Sequence, residues 1–271
     1  MAQLRENRWG KSEIRISKIH RSDAGDDFSD LAVQVLLQGD VESAHTAGDN
    51  RAVLPTDTMR NTVYCLAQDH LSRDLESFAS FLCDHFLDRD LTQAAVSISE
   101  RLWSRAGATG FIGGGSERRT ARVAKGAGEI GTWAGVEGLV VLKTTGSAFS
   151  GFPKDEFTVL PETEDRILAT SVTATWKYST VPEDTTRTWE TARQTLVERF
   201  FTDLSASAQN QGWLMAAALL EAVPEIDRLD LHLPNQHHLP FDISRFGMDD
   251  RGTIFHPVSE PYGDIGLTVT R

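Results

Sequence analysis

The spacing of apolar residues runs from period two to the helical period and back, in the same order, twice along the chain. Few folds accommodate that order. Ile14 and Ile16 alternate with charged residues in KSEIRISKIH, and Leu31, Val33, Val35 and Leu37 alternate more cleanly in the next segment, so both read as strands. Residues 23–27, with Gly25, supply the turn between them. After Pro55, the residues Met59, Val63, Leu66 and Ala67 fall on one face of a helix. Phe78, Leu82 and Phe86 mark a second helix over 75–88. Residues 94–103 and 118–123 return to strand. The glycine-rich stretch between them, 107–115, reads as a mobile hairpin loop and lacks the GxGxxG and GxxxxGKS/T spacings of phosphate-binding loops.

The second cycle follows. Residues 138–145 and 166–179 read as strands, the latter with Leu168, Val172, Ala174, Trp176 and Tyr178 on one face. Trp189, Ala192, Leu196 and Phe200 stand at helical spacing within 186–204, and a second helix over 207–222 is stopped by Pro224. Strands over 228–233 and 265–270 close the half. The order predicts an α+β fold of two halves, 1–134 and 135–271, each an antiparallel four-stranded sheet with two helices on one face.

The 271 residues are 40% hydrophobic, enough for a large core. The formal net charge of −12 argues against a general binder of nucleic acid or of anionic membranes, because no basic excess exists to neutralise phosphates. Cys65 and Cys83 sit in apolar helical patterns and are expected to be buried small hydrophobes of a reducing compartment, neither a disulfide framework nor a zinc site. The first ten residues are polar and charged, unlike a secretory leader, and no apolar run has membrane-spanning length. The last residues, Val-Thr-Arg, are not a Ser-Lys-Leu peroxisomal address. A soluble cytoplasmic enzyme is expected.

Five segments hold the candidate residues. The richest is FSGFPKDEFTVLPETEDR, from Phe149 to Arg166. A flat, electron-rich anion could be stacked on by Phe149, covered by Leu160 and gripped at its edge by the planar donor fork of Arg166. By residue type alone the ordinary alternative stands: Phe and Leu as core, and Arg166 as a surface ion pair with Glu164 or Asp165. In LPTDT, Thr56 or Asp57 is either an N-cap or, at a helix start with free amides, a ligand contact. In SASAQ, Ser205 or Ser207 reads as a cap, Ala208 follows, and the Gln209 amide offers a donor and an acceptor from one head. In LPNQHH, His237 and His238 point to opposite sides of an extended segment and so are not expected to share a metal. Neither HxH nor HExxH nor CxxC occurs. His237 reads either as a buried, hydrogen-bonded histidine or as a proton shuttle. Lys11, in RWGK, reads as a solvated strand end.

Taken in order, RWGK (8–11), LPTDTMRNTVY (54–64), TTGSAFSGFPKDEFTVLPETEDRIL (144–168), SASAQ (205–209) and LPNQHH (233–238) resemble the urate oxidase (uricase) family. The resemblance spans nearly the whole chain. It implies conversion of urate, O2 and water to 5-hydroxyisourate and hydrogen peroxide with no metal or organic cofactor. It implies the tunnelling fold, assembled as a homotetramer in which a barrel of sheets surrounds a central tunnel and active sites lie at subunit interfaces. By motif position, Arg166 and Gln209 resemble the clamp on opposite edges of urate, Phe149 the stacking ring and Leu160 the apolar cover. Ala208, which would offer its backbone, stands where the family often has Val. Thr56 and Asp57 resemble contacts from the neighbouring subunit. Lys11, Thr56 and His237 resemble a proton relay, and Asn235 the residue that holds O2 or water over the ring. Gln236 stands where Lys is common, which removes a positive charge beside His237.

Overall fold

Leu31, Val33, Val35 and Leu37 are all fully buried, and the residues between them are not. The strand they define is the centre of the first half. In the computed structural model, which describes residues 2–89, 91–202 and 204–271, the chain forms two compact units. One is the chain up to Gly135 together with Trp176–Trp189; the other is Val136–Thr175 with Glu190–Arg271.

The first unit contains strands β1 (Trp9–His20) and β2 (Asp27–Gly39), helices α1 (Glu42–Ala47), α2 (Thr56–His70) and α3 (Leu75–Leu87), and strands β3 (Leu91–Arg105) and β4 (Phe111–Gly126). The strands pair in chain order, antiparallel throughout. Met59, Val63 and Ala67 of α2 and Phe78, Leu82 and Phe86 of α3 bury themselves on one face of this sheet, in one cluster with Val33, Val35, Val96 and Ile98. This is the expected sheet with two helices on one side.

Strand β1 is laced to α2 at both ends. Trp9 Nε1 donates to the Leu54 carbonyl at 3.0 Å, just before the helix. Lys18 Nζ donates to the carbonyls of Ala67, Gln68 and Leu71 at 2.9, 2.8 and 2.6 Å, a cation on the negative end of the helix. The register of β1 against β2 slips between Lys11 and Ile14, with Glu13 at a left-handed φ of 55°. Gly10 has no room for a side chain: a Cβ there would lie 1.9 Å from the Val35 carbonyl oxygen.

Three expectations need correction here. The glycine-rich 107–115 stretch is not a loop throughout, because Phe111, Ile112 and Gly113 pair with Arg105, Ser104 and Trp103. Two of its glycines serve close approach: a Cβ on Gly114 would meet the Leu102 carbonyl oxygen at 2.8 Å, and Gly113 lies against the Trp103 ring. Cys65 is exposed, on the face of α2 away from the sheet; only Cys83 is buried, and burial pushes its thiol up to about 12. Neither Thr56 nor Asp57 caps α2, since Pro55 occupies that position and no side chain bonds there.

The second half of the chain adds β5 (Gly131–Lys143) and β6 (Leu168–Tyr178), which lie mostly in the second unit, and β7 (Ile226–His232) and β10 (Gly266–Thr270), in the order β5-β6-β7-β10. Helices α4 (Thr185–Thr202), from Glu190 onward part of the second unit, and α5 (Ala208–Ala222) follow β6. Ala192, Leu196 and Phe200 of α4 are buried at the expected spacing. Gly212 lets α5 sit close to Leu233 and Leu267, where a Cβ would be 2.9 Å from either side chain. Strands β8 (Asn235–Pro240) and β9 (Phe255–Gly263) form an additional hairpin. Prolines at 240, 257 and 261 and the paired histidines hide the alternation that would have marked it.

Candidate functional site

The segment between β5 and β6 is closed on itself by Asp165. Its carboxylate accepts from the Gly146 amide at 2.7 Å and from the Thr145 hydroxyl, and its carbonyl accepts from the Thr163 hydroxyl at 2.8 Å. The Thr145 hydroxyl, and then the Gly146 amide, hold the Asp165 carboxyl below its usual range. Phe149 and Thr163 exchange backbone hydrogen bonds at 2.8 and 3.0 Å. The Ala148 amide donates to the Ser205 carbonyl at 2.8 Å, and the Ser205 amide to the Gly146 carbonyl at 3.1 Å. These bonds set the Phe149 segment beside the start of α5.

Because Asp165 is committed to Thr145 and Gly146, it does not pair with Arg166. Among the described residues no carboxylate lies within ion-pair distance of that guanidinium. It is half-buried, its Nε is buried without a hydrogen-bond partner, and burial lowers its affinity for the proton. Its central carbon stands 5.2 Å from the centroid of the Phe149 ring. Phe152 stacks on Phe149 at 4.8 Å with an interplanar angle of 16°. The ordinary ion-pair reading of Arg166 is therefore not what the chain folds into. Leu160 is half exposed on the same segment.

At the start of α5, the Ser207 hydroxyl accepts from the Asn210 amide at 3.0 Å and caps the helix. Ala208 is buried; the Gln209 side chain is exposed, and both residues lie in the first turn, where helix amides have no intrahelical acceptor. Asn235 opens β8, 8% exposed, with its Nδ2 3.4 Å from His237 Nδ1. His238 Nδ1 meets the Gln236 carbonyl instead, at 3.1 Å, so the two histidines have separate partners. Ala208 and Asn235 line one cavity, together with Thr170 and Gln211, which the sequence did not single out.

In the first unit, Lys11 Nζ donates to Asp57 Oδ1 at 3.1 Å, and Arg60 stands 3.5 Å from the same oxygen. Lys11 above all, and then Arg60, hold the Asp57 carboxyl below its usual range. Thr56, the first residue of α2, is half-buried, and capping does not occupy its hydroxyl. The structure thus gathers Lys11, Thr56 and Asp57 in one unit. Phe149, Leu160, Arg166, Ala208, Gln209, Asn235 and His237 belong to the other, with Phe149 beside Arg166, Ala208 and Asn235 on one cavity, and His237 beside Asn235.

Fold and site together define an α+β protein of antiparallel sheet and helices in which a half-buried guanidinium without a carboxylate stands beside an aromatic pair. The uricase family model matches residues 7–127 and 133–266. The chain is 40% identical to a uricase of Arthrobacter globiformis over 99% of its own length and 90% of that protein's, and 34% identical to a uricase of Aspergillus flavus over 100% and 98%. It superposes on the crystal structure of the Arthrobacter globiformis uricase with a TM-score of 0.96, covering 100% of this chain and 96% of that one. A urate oxidase from Bacillus sp. TB-90, at 20% identity and a TM-score of 0.84, shares the fold. The chain belongs to the uricase family.

Proposed function

We propose that this protein oxidises urate with O2 and water to 5-hydroxyisourate and hydrogen peroxide, in the degradation of purines. The observation that carries the reading is Arg166: a half-buried guanidinium without a carboxylate, beside the ring of Phe149. A desolvated cation with a free donor fork is a strong site for an anionic ligand, and the adjacent ring suits a flat one.

The chemistry asks little beyond placement and proton transfer. O2 is a triplet, so its direct two-electron reaction with a closed-shell molecule is spin-forbidden. A urate dianion is electron-rich enough to give up one electron first. The protein must remove a proton, stabilise the anion, and hold O2 and then water over the ring. In this reading Arg166 and Gln209 clamp opposite edges, Phe149 stacks, Leu160 covers, and the Ala208 amide faces the ligand at the helix N-terminus. Asn235 holds O2 or water. Lys11, Thr56 and His237 relay the proton. Thr56 and Asp57 enter from a neighbouring subunit of a homotetramer whose sheets enclose a tunnel. The two halves, 1–134 and 135–271, act as repeated tunnelling-fold domains. The exposure of Leu160 and Gln209 within one chain supports a site that a second chain completes.

The test is direct. Protein, urate and a metal chelator are mixed in air-saturated buffer, and urate absorbance and peroxide are followed together. Urate should vanish with one peroxide formed per urate. Absence of both changes would sink the reading, and loss that the chelator abolishes would point to a metal enzyme instead.

A further inference from the structure

The cavity behind Asn235 contains a polar group that the reading above does not use. Thr170 lies on β6 directly opposite Asn235 in the antiparallel ladder. It is 3% exposed, and its hydroxyl has no hydrogen-bond partner. Both residues line the same cavity, which Phe200, Ala208 and Gln211 help to close. Gln211 is already occupied: its Oε1 accepts from Lys143 Nζ at 2.7 Å and its Nε2 donates to the Arg199 carbonyl at 3.1 Å. Both ends of the Gln211 amide are thus engaged, and Asn235 is the other polar residue of the lining.

Two physical facts give that hydroxyl a role. A buried hydroxyl without a partner is unfavourable, so the fold is expected to give it one. Directly opposed side chains on one sheet face have Cβ atoms about 4.5–5.5 Å apart, within reach of a direct bond or of one bridging water. The amide of Asn235 has two unlike ends. Its Nδ2 lies at His237 Nδ1, which can accept when the imidazole carries its proton on Nε2. Its Oδ1 is the end that can accept from a hydroxyl.

We propose that Thr170 is a positioning residue for Asn235. Its hydroxyl donates to Asn235 Oδ1, directly or through one water in the cavity. This fixes the amide with Nδ2 toward His237 and toward the O2 or water that Asn235 holds. A flipped amide would set a carbonyl oxygen against the imidazole lone pair and offer an acceptor where a donor to O2 is needed. The inference rests on the role given to Asn235 in urate oxidation.

Thr170→Val keeps the shape and removes the hydroxyl; Thr170→Ser keeps the hydroxyl. With urate, Thr170→Val should lower kcat about tenfold with KM within about twofold, the size expected for one lost hydrogen bond, and Thr170→Ser should restore it. Wild-type kcat in Thr170→Val, or equal losses in both variants, would overturn the proposal while leaving the substrate assignment intact. A wild-type protein inert toward urate would sink that assignment instead, and crystal structures of wild type and Thr170→Val would then decide. A rotated Asn235 amide or a lost bridging water in the variant supports the positioning role; an unchanged amide with unchanged water overturns it.

Discussion

Lys11 Nζ donates to Asp57 Oδ1 across 3.1 Å, joining the bulged start of β1 to the first turn of α2. Both side chains are solvent-accessible, so this pair contributes little to folding. What it does is hold the ammonium at the first turn of α2, the turn that Thr56 begins. Asp57→Ala should therefore leave the melting temperature within about 2 °C of wild type. It should lower urate turnover, and Lys11→Met should lower turnover much further with little change in KM. Steady-state kinetics alongside thermal melts check this. Wild-type kcat in Lys11→Met would remove the relay assignment.

Strand β2 and the faces of α2, α3 and α4 were legible because burial on one side leaves a period in the sequence, as Leu31 to Leu37 show. Hairpin β8–β9 was not, because prolines and histidines break that period. The glycines at 113 and 114 signal flexibility in a string of letters, but Trp103 and the Leu102 carbonyl press against them in the fold. The candidate site shows the same limit. Arg166 follows two acids in sequence and reads equally as an ion pair; its isolation depends on Thr145 and Gly146, twenty and nineteen residues before Asp165, taking that carboxylate. Thr170 is an ordinary strand residue until its register with Asn235 is known.

In the first unit, Arg119 and Glu76 form an ion pair at 2.8 Å with both side chains 1% exposed. Arg119 also donates to the Arg73 carbonyl at 3.0 Å and lies 5.5 Å from the Trp189 ring centroid. Removing one partner leaves the other charge buried and unpaired. Glu76→Ala should therefore cost about 3–5 kcal/mol in urea unfolding. Replacing both with apolar residues should cost much less. A loss below about 1 kcal/mol for the single change would mean that water reaches Arg119.

Glu100 behaves in the opposite sense. It is 1% exposed, with Arg73 2.8 Å from Oε1 and no partner for Oε2. Burial outweighs the attraction of Arg73 and raises its proton affinity above the ordinary value of 4.5. A raised folded-state value means that this group favours the fold at low pH, and that the contribution is lost as pH rises through the folded value. Glu100→Gln cannot ionise. Its stability relative to wild type should increase from pH 4.5 upward and level off above the raised value. Urea unfolding of both proteins between pH 4.5 and 8 measures the gap, and a flat or falling gap would contradict the assignment.

Arg166→Ala should act mainly on binding. The guanidinium has no carboxylate to abandon, so its removal strands no buried anion, and the melting temperature should hold or rise slightly. The urate anion, however, loses a two-pronged, charge-assisted contact in a partly dry site. KM should rise by about tenfold to a hundredfold, the range for hydrogen bonds to charged groups. Arg166→Lys restores the charge without the planar fork and should recover only part of that loss. Kinetics over a wide urate range separate the cases. A wild-type KM in Arg166→Ala would refute the clamp, and full recovery in Arg166→Lys would show that charge alone, not the paired donors, holds the substrate.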